Sequence, residues 1–576
     1  MIIKYQKYII ILFLFSINIL LASTFIIYPN KWYVYLFILS IASIVSSFSC
    51  ILIMGYKMIT NNMKTYRTQP KNYLYIVPCY NESEIELTKT LNSIVSQQYV
   101  TGDKRSIVIV CDGTVKGHGN TMSTDKILKN ILKINEISEF YHYETWDTLN
   151  NPVYFYKGEY QYNLDILPFI LIIKQKNYGK RDSLVLVRKL CYEYNKRTIL
   201  DYKEKYNFTN DDNLLIISTN MMYEKFIEEM SYCLKYIYMD KIDYIIGIDA
   251  DTIFDYNCSY ELIHEIDKDP MVHGCVGYVD ISLDMNFMSP FVIYQYAEYM
   301  FAQCLRRHTQ SNITKKVNCL SGCNQILRVS EETCGNAILQ KFNYLPKEDE
   351  NIFKHIRSYA SEDRNHVCYM LSLYPYVKTT QTLHAIAYTS VPTSIKVFIS
   401  QRRRWSLGAN LNDLMLIYLP GINIFERISS AVNVIIYMTT PFIFIATILF
   451  IKSVITEPTM LMLYLSIIMI IPLTYSICIP IFIKQQTFRN AIYYYFSYLF
   501  FLLFGSVVSL CIYLYSISCM DVIKWGKTRT IDTDNSISDI NIINIHDRKI
   551  YLDKLKYKYK TNDDDSFYNG EYDSEL

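Results

Sequence analysis

Asp249 and Asp251 are separated by one residue and follow directly on the apolar run Tyr244–Ile248. Two carboxylates at that spacing can share a divalent ion with a diphosphate, and Mg²⁺ or Mn²⁺ held by one or two carboxylates plus substrate phosphates is the usual arrangement. Taken alone, such a pair is more often two turn aspartates. Ser361-Glu362-Asp363-Arg364 places two adjacent carboxylates where one can take a proton from an attacking hydroxyl. A charge cluster of this kind is otherwise a solvated surface. Gln401-Arg402-Arg403-Arg404-Trp405 lines up three guanidinium forks, each able to bind two phosphate oxygens, beside an indole face suited to a sugar ring. These five residues also fit a basic cluster beside a membrane with a Trp anchor, and the two readings balance.

Three further stretches carry chemistry of the same kind. In Cys111-Asp112-Gly113, the carboxylate can accept a hydrogen bond from a nucleobase, and the glycine lets the chain turn. An ordinary Asp-Gly turn is the alternative. Pro78-Cys79-Tyr80-Asn81-Glu82 ends another apolar run in the same way. Asn177–Ser183 sets Lys180, Arg181 and Asp182 after a glycine. The cations suit a diphosphate and the carboxylate suits a base or ribose, against a solvated helix start as the plain reading.

The elements that must position these residues can be read from hydrophobic periodicity. Between residues 70 and 400 short apolar runs alternate with helical patterns. Tyr73–Pro78, Ser106–Val110, Phe169–Ile173, Leu214–Ser218 and Tyr244–Ile248 read as strands, and Glu84–Gln97 reads as a helix. This alternation implies a mostly parallel sheet, with ligands at the carboxyl ends of its strands. Residues 119–165 read as an irregular insertion.

Residues 8–28 and 33–55 are each long and apolar enough to span a bilayer, and Asn30-Lys31-Trp32 joins them as a hairpin. A cleaved signal peptide is the weaker alternative, because a second span follows at once. Lys4 and Lys7 before the pair, and Lys57, Lys64 and Arg67 after it, place both ends in the cytosol. Further on, Leu411–Leu419 looks interfacial, and apolar segments at 430–451, 459–483 and 490–517 follow. Lys484 and Arg489 fit a cytosolic loop. Three full spans would then put Trp525 outside, so the last segment is expected to be re-entrant or bent, with Trp525 cytosolic. Residues 531–576 form a polar, acidic tail expected to be disordered.

The chain has 576 residues, a net charge of +2 and 51% hydrophobic residues, unevenly spread, which points to a membrane part plus a soluble part. That charge argues against a nucleic-acid partner. With 54 tyrosines, a single Tyr carries little weight. The 15 cysteines are scattered. Only Cys319 and Cys323 are suggestively close, no second pair stands at zinc spacing, and disulfides are not expected in a cytosolic segment.

Taken in order, GKRDSL (Gly179–Leu184), IDADT (Ile248–Thr252), QYAEY (Gln295–Tyr299), VNCLSGCNQILR (Val317–Arg328), SEDR (Ser361–Arg364), QRRRW and WGKTR (Trp525–Arg529) form a specific set. Over about residues 70–530 the chain resembles the processive membrane-embedded β-glycosyltransferases that use UDP-sugars, and among them most the chitin synthases. The resemblance implies an α/β glycosyltransferase A-type domain, with a Rossmann-like mixed sheet, inserted between transmembrane helices. The expected organisation is a transmembrane hairpin at 1–56, a cytosolic transferase domain at 57–405, interfacial helices at 406–429, transmembrane helices at 430–517, a gating segment at 518–530 and the tail at 531–576. The long N-terminal extension and myosin-like domain of some relatives are not expected.

The implied reaction is polymerisation of GlcNAc from UDP-GlcNAc into β-1,4-linked chitin, with inversion, followed by passage of the polymer across the membrane. Carried over, Asp112 contacts uracil, and Lys180 and Asp182 help hold the nucleotide, with Pro78, Tyr80 and Glu82 in the same nucleotide-sugar set. Asp249 and Asp251 hold diphosphate and a Mg²⁺ or Mn²⁺ ion. Asp363, next to Glu362, is the base for the acceptor 4-hydroxyl. Gln401, Arg404 and Trp405 bind the acceptor end and the diphosphate, joined by Arg402 and Cys323, while Arg402 and Arg403 fit either that role or a membrane-anchoring one. Trp525 and Arg529 belong to the gating segment.

The implied partners are UDP-GlcNAc, nascent chitin and membrane lipid. A homodimer is compatible, and the implied site is the plasma membrane. Ser321 stands where many relatives have Pro, and Tyr278 and Val279 stand where many have Glu, which bears on the acceptor pocket. A hyaluronan- or cellulose-type synthase is the alternative enzyme. A non-catalytic membrane scaffold with a decayed transferase domain is the alternative of another class.

Overall fold

The computed structural model describes residues 2–29, 31–60, 66–117, 119–134, 139–144, 150–205, 221–283, 287–347, 349–484 and 486–522. Two apolar helices, Ile2–Ile27 and Tyr33–Thr60, open the chain. An α/β domain follows. Its sheet is built from β1 (Asn72–Cys79), β2 (Lys104–Asp112), β3 (Glu139–Glu144), β4 (Asn150–Tyr162), β5 (Asp165–Lys174), β6 (Tyr244–Gly247), β7 (Thr252–Phe254), β8 (Val272–Ile281), β9 (Gln325–Arg328) and β10 (Lys378–Thr389). The strand order is β3-β4-β5-β2-β1-β6-β9-β8-β10-β7.

The central strands β5, β2, β1 and β6 are parallel. Their carboxyl ends therefore share one edge, where Cys79 pairs with Cys111 and Asp112 with Lys174. These strands read as continuous apolar runs because cores lie on both faces. Leu74 and Ile76 belong to one core, and Tyr73, Tyr75 and Val77 to the other. The sheet is more mixed than the sequence led us to expect. β9 runs antiparallel between β6 and β8, which delivers its first residue, Gln325, to the same edge opposite Gly247.

Residues 119–165 are not an irregular insertion. They hold a helix, Thr124–Ile131, and two strands that widen the sheet, β4 pairing antiparallel with both β3 and β5. Val153 and Phe155 enter one core, and Tyr156 and Tyr160 enter the other. Aromatic strand formers carry this segment, and the general abundance of tyrosine hides them in the sequence. The strand expected at 214–218 lies outside the described residues, as does the tail at 531–576.

Among the described residues four helices are long and apolar enough to cross a membrane: Ile3–Ile27, Tyr33–Tyr56, Met460–Phe482 and Phe488–Ser518. The pair Ile424–Met438 and Thr440–Thr456, bent by 75°, makes a fifth if counted as one span. The chain is an integral membrane protein. Asn18, in the middle of the first helix, sits at that bend. Its Nδ2 donates to Met438 O at 2.8 Å, and its Oδ1 accepts from Phe442 N at 3.0 Å. A broken helix in lipid needs such partners for its freed backbone groups.

The last helix, Phe488–Ser518, runs unbroken rather than bent or re-entrant. Near its start it meets the stretch after β8, and past its end it meets the helix Ile395–Tyr418 and the first membrane helix. At its start Tyr493 Oη donates to Phe287 O at 2.6 Å. Past its end, Arg403 Nη1 donates to Cys519 O at 3.1 Å and to Val522 O at 2.9 Å, and Asp521 pairs with Lys7 at 2.6 Å.

Candidate active site

The carboxyl edge of the parallel strands gathers most of the residues singled out above. Lys180 begins the helix Lys180–Lys205, and its Nζ lies 2.6 Å from Asp249 Oδ1 and 3.7 Å from Glu362 Oε1. Burial would strip Lys180 of its proton, but Asp249, Asp363 and Glu362 outweigh it and hold the ammonium above the usual lysine range.

Glu362 and Asp363 occupy the first turn of the helix Glu362–Leu373, where the helix dipole favours negative charge. Ser361, with φ of 53°, turns the chain into that helix. The backbone N–H of Gly322, in the stretch before β9, donates to Asp363 Oδ2 at 2.8 Å. Only glycine fits there: a Cβ on Gly322 would lie 2.7 Å from Asp363 Oδ1 and 3.1 Å from Lys180 Nζ. Asp363 Oδ1 is buried without a hydrogen-bond partner. Burial, helped by Glu362 and Asp249 and opposed by Lys180, pushes the Asp363 carboxyl up to about 6. Burial next to Asp249 and Glu82 pushes Asp251 up to about 7. Cys323 stands near both groups, with its thiol raised by burial.

Four other residues sit at the ends of β1 and β2. Pro78 lies in β1, with Tyr80 just past it. Glu82 Oε2 accepts the backbone N–H of Tyr80 at 2.6 Å and of Asn81 at 3.1 Å, so one of its oxygens shapes this turn. Asp112 and Asp182 are bridged by a residue the sequence did not flag. Lys174, fully buried at the end of β5, lies 2.6 Å from Asp112 and 2.9 Å from Asp182. Tyr143 Oη also donates to Asp182, at 2.6 Å. Burial alone would pull Lys174 down, and the two carboxylates keep it charged.

Gln401–Trp405 lies within one helix, Ile395–Tyr418, so the boundary expected after Trp405 falls inside it. Successive helical residues point about 100° apart, and the three arginines diverge accordingly. Arg402 was expected among the acceptor and diphosphate ligands. Its guanidinium is instead committed to Glu298 at 2.5 Å and Gln295 at 3.0 Å, with Gln401 Oε1 accepting at 2.5 Å. It also stacks 4.3 Å from the centre of the Trp405 ring. Arg403 holds the carbonyls of Cys519 and Val522. Arg404 is the one whose charge is set against Glu362, Asp249 and Asp363. Trp405 stays 40% exposed, 5.8 Å from the Tyr299 ring, and so offers an open aromatic face. The helix comes this close because residue 408 is glycine: a Cβ there would stand 2.1 Å from Ser361 Oγ. Trp525 and Arg529 lie outside the described residues.

Asp413, two helical turns beyond Trp405 and fully buried, was also missed. Arg306 binds it through two hydrogen bonds of 2.7 and 2.8 Å. Asn318 donates to it at 3.3 Å, Ser430 at 3.4 Å, and Arg364 lies 3.6 Å away. One carboxylate thus ties together the helices bearing Asp363 and Trp405 and the stretch before β9. An Asp in a mixed helix gives no sequence signal, because its partners come from distant parts of the chain.

Among the described residues no three His, Cys, Asp or Glu side chains form a ready metal group. Asp249 and Asp251 still fit a divalent ion that takes its other ligands from a diphosphate. The upward shift of Asp251 comes first from burial and then from the negative charge of Asp249 and Glu82, and a cation there would relieve the latter. Geometrically, the edge offers a buried carboxylate oxygen open to a proton, two cations facing carboxylates and an aromatic platform beside them.

Comparison with known proteins gives consistent results. The family model described as chitin synthase matches residues 48–556. A chitin synthase 8 of Gibberella zeae is 34% identical, covering 92% of this chain and 80% of its own. A chitin synthase 8 of Verticillium dahliae is 32% identical over 76% of this chain and 74% of its own. Among solved structures, a mannosyltransferase from Pyrobaculum calidifontis covers 81% of this chain and 98% of its own at 11% identity and a TM-score of 0.36, too distant to bear on the site.

Proposed function

The chain belongs to the chitin synthase family, and we propose that it polymerises GlcNAc from UDP-GlcNAc into β-1,4-linked chitin with inversion. The observation that carries the residue roles is the unpartnered Oδ1 of Asp363, held in place by the Gly322 N–H on Oδ2. In this reading the acceptor 4-hydroxyl attacks the anomeric carbon of the donor. The bond from that carbon to the diphosphate oxygen breaks, UDP leaves and Asp363 Oδ1 takes the hydroxyl proton. A carboxyl pushed up to about 6 is ionised at neutral pH yet basic enough to accept that proton.

Lys180 and Arg404 supply positive charge where negative charge grows on the leaving diphosphate. A divalent ion held by Asp249 and Asp251 would supply further neutralisation when bound. Asp112 and Asp182, fixed by Lys174, are the nucleotide-base and ribose contacts. Trp405 and Tyr299 carry the acceptor sugar, with Arg402 steadying the indole. In this reading the α/β domain is cytosolic in the plasma membrane, and the apolar helices pass the polymer outward.

The test is incorporation of labelled UDP-GlcNAc into alkali-insoluble polymer by membranes holding this chain, with Mg²⁺ or Mn²⁺. Digestion of the product by chitinase supports the reading. A product cut only by hyaluronidase or cellulase, or no product at all, overturns it.

A further inference from the structure

Arg181 follows Lys180 in sequence but turns to a different cleft. Its Nη1 donates to Phe342 O at 2.8 Å and its Nη2 to Arg357 O at 2.9 Å. That cleft is small, with a cavity volume of about 50 Å³, and Arg181, Lys341, Tyr344, Lys354, Arg357 and Asn365 are among the residues that line it. Four of these six carry positive charge. Among the described residues the ion pair in this set is Lys354 with Glu350, at 2.6 Å on the rim. Arg181 is 4% exposed and Arg357 8% exposed, and both spend donors on neutral oxygens. Arg357 Nη1 donates to Tyr418 Oη at 2.8 Å, and its Nε is buried with no partner.

Buried guanidiniums without a carboxylate are costly, because low local polarity penalises uncompensated charge. Burial accordingly lowers Arg181 to about 10, even with Glu362 and Asp363 in electrostatic reach. A guest carrying two negative charges and several acceptor oxygens would relieve that cost. Guanidinium forks and lysines together match phosphate in geometry and charge.

We propose that this cleft binds a phosphate-bearing anion, at a site separate from the one that takes the donor diphosphate. Lys180 faces Asp249 and Glu362 while Arg181 faces the cleft, so the two sites stand back to back across one pair of residues. The helix that lines the cleft also packs against the first membrane helix. Ile352 and Ile356, on the helix that carries Lys354 and Arg357, pack with Leu14 of the first membrane helix. Both a free phosphate and the headgroup of an anionic lipid present the required chemistry.

The experiment reads labelling of Lys341 by an amine-reactive probe on the full chain in phosphatidylcholine nanodiscs, with UDP present to fill the donor site. One arm adds inorganic phosphate, and another includes phosphatidic acid in the nanodisc. The expected result is at least fivefold slower labelling in one arm, lost in Arg357→Gln and in the milder Lys354→Gln. Protection by phosphate assigns a soluble ligand, and protection by phosphatidic acid alone assigns a lipid. No protection in either arm, or protection that persists in both variants, overturns the proposal. Polymer synthesis is not read, so failure here leaves the proposed reaction untouched.

Discussion

The backbone N–H of Gly322 donates to Asp363 Oδ2 at 2.8 Å, which leaves the other carboxylate oxygen buried and unpartnered. A methyl group at residue 322 would press on that oxygen from 2.7 Å. Gly322→Ala should lower kcat for polymer synthesis by about 100-fold, the scale expected of a misplaced reacting group. The KM for UDP-GlcNAc should change much less. An unchanged kcat in steady-state assays would detach Gly322 from the chemistry.

Asp363→Asn keeps the shape of the side chain and removes the base. Transfer should fall by about 10²–10⁴-fold, while titration calorimetry should still detect UDP-GlcNAc binding. Near-normal turnover would remove Asp363 from its proposed role.

The pH dependence has a definite sign. Asp363 must be ionised to accept a proton, and its carboxyl is raised to about 6. The rate should therefore be flat above that value and fall as pH drops through it. Lys180 opposes that rise. Lys180→Gln should therefore move the acid limb of kcat to higher pH, whatever it does to the maximum. A limb that stays put or moves down would contradict the electrostatic argument.

Asp413→Asn leaves Arg306 facing a neutral amide inside the protein. Breaking a buried pair on one side costs about 3–5 kcal/mol, so the thermal unfolding temperature of the purified chain should drop. Activity should fall with it, because Asp413 ties the Glu362–Leu373 helix to the Trp405 helix through Arg364. An unfolding curve identical to that of the unaltered chain would show that the hub contributes nothing.

The sequence exposes some of this site and hides the rest for physical reasons. Strands buried on both faces leave apolar runs, so the edge that carries Asp112 and Asp249 can be found by periodicity alone. Lys174 cannot, since nothing local tells a buried lysine between two carboxylates from a solvated one. The three arginines of Gln401–Trp405 look equivalent in one dimension. Helical rotation gives Arg402 to Glu298, Arg403 to the Cys519 and Val522 carbonyls, and Arg404 to the carboxylate cluster. The stretch therefore does not act as one basic unit, since each arginine meets a different set of partners. β3 and β4 escaped notice because tyrosines mark them in a chain rich in tyrosine.

Asn18 gives the order of synthesis a structural meaning. The bend at Thr439 exposes a carbonyl and an N–H that lipid cannot satisfy, and one side chain near the N-terminus answers both. The ribosome delivers that side chain more than four hundred residues before the segment that needs it. The first helix is therefore an assembly template as well as an anchor. A chain started beyond residue 18 would keep every residue of the proposed active site yet have no partner waiting for its bent helix.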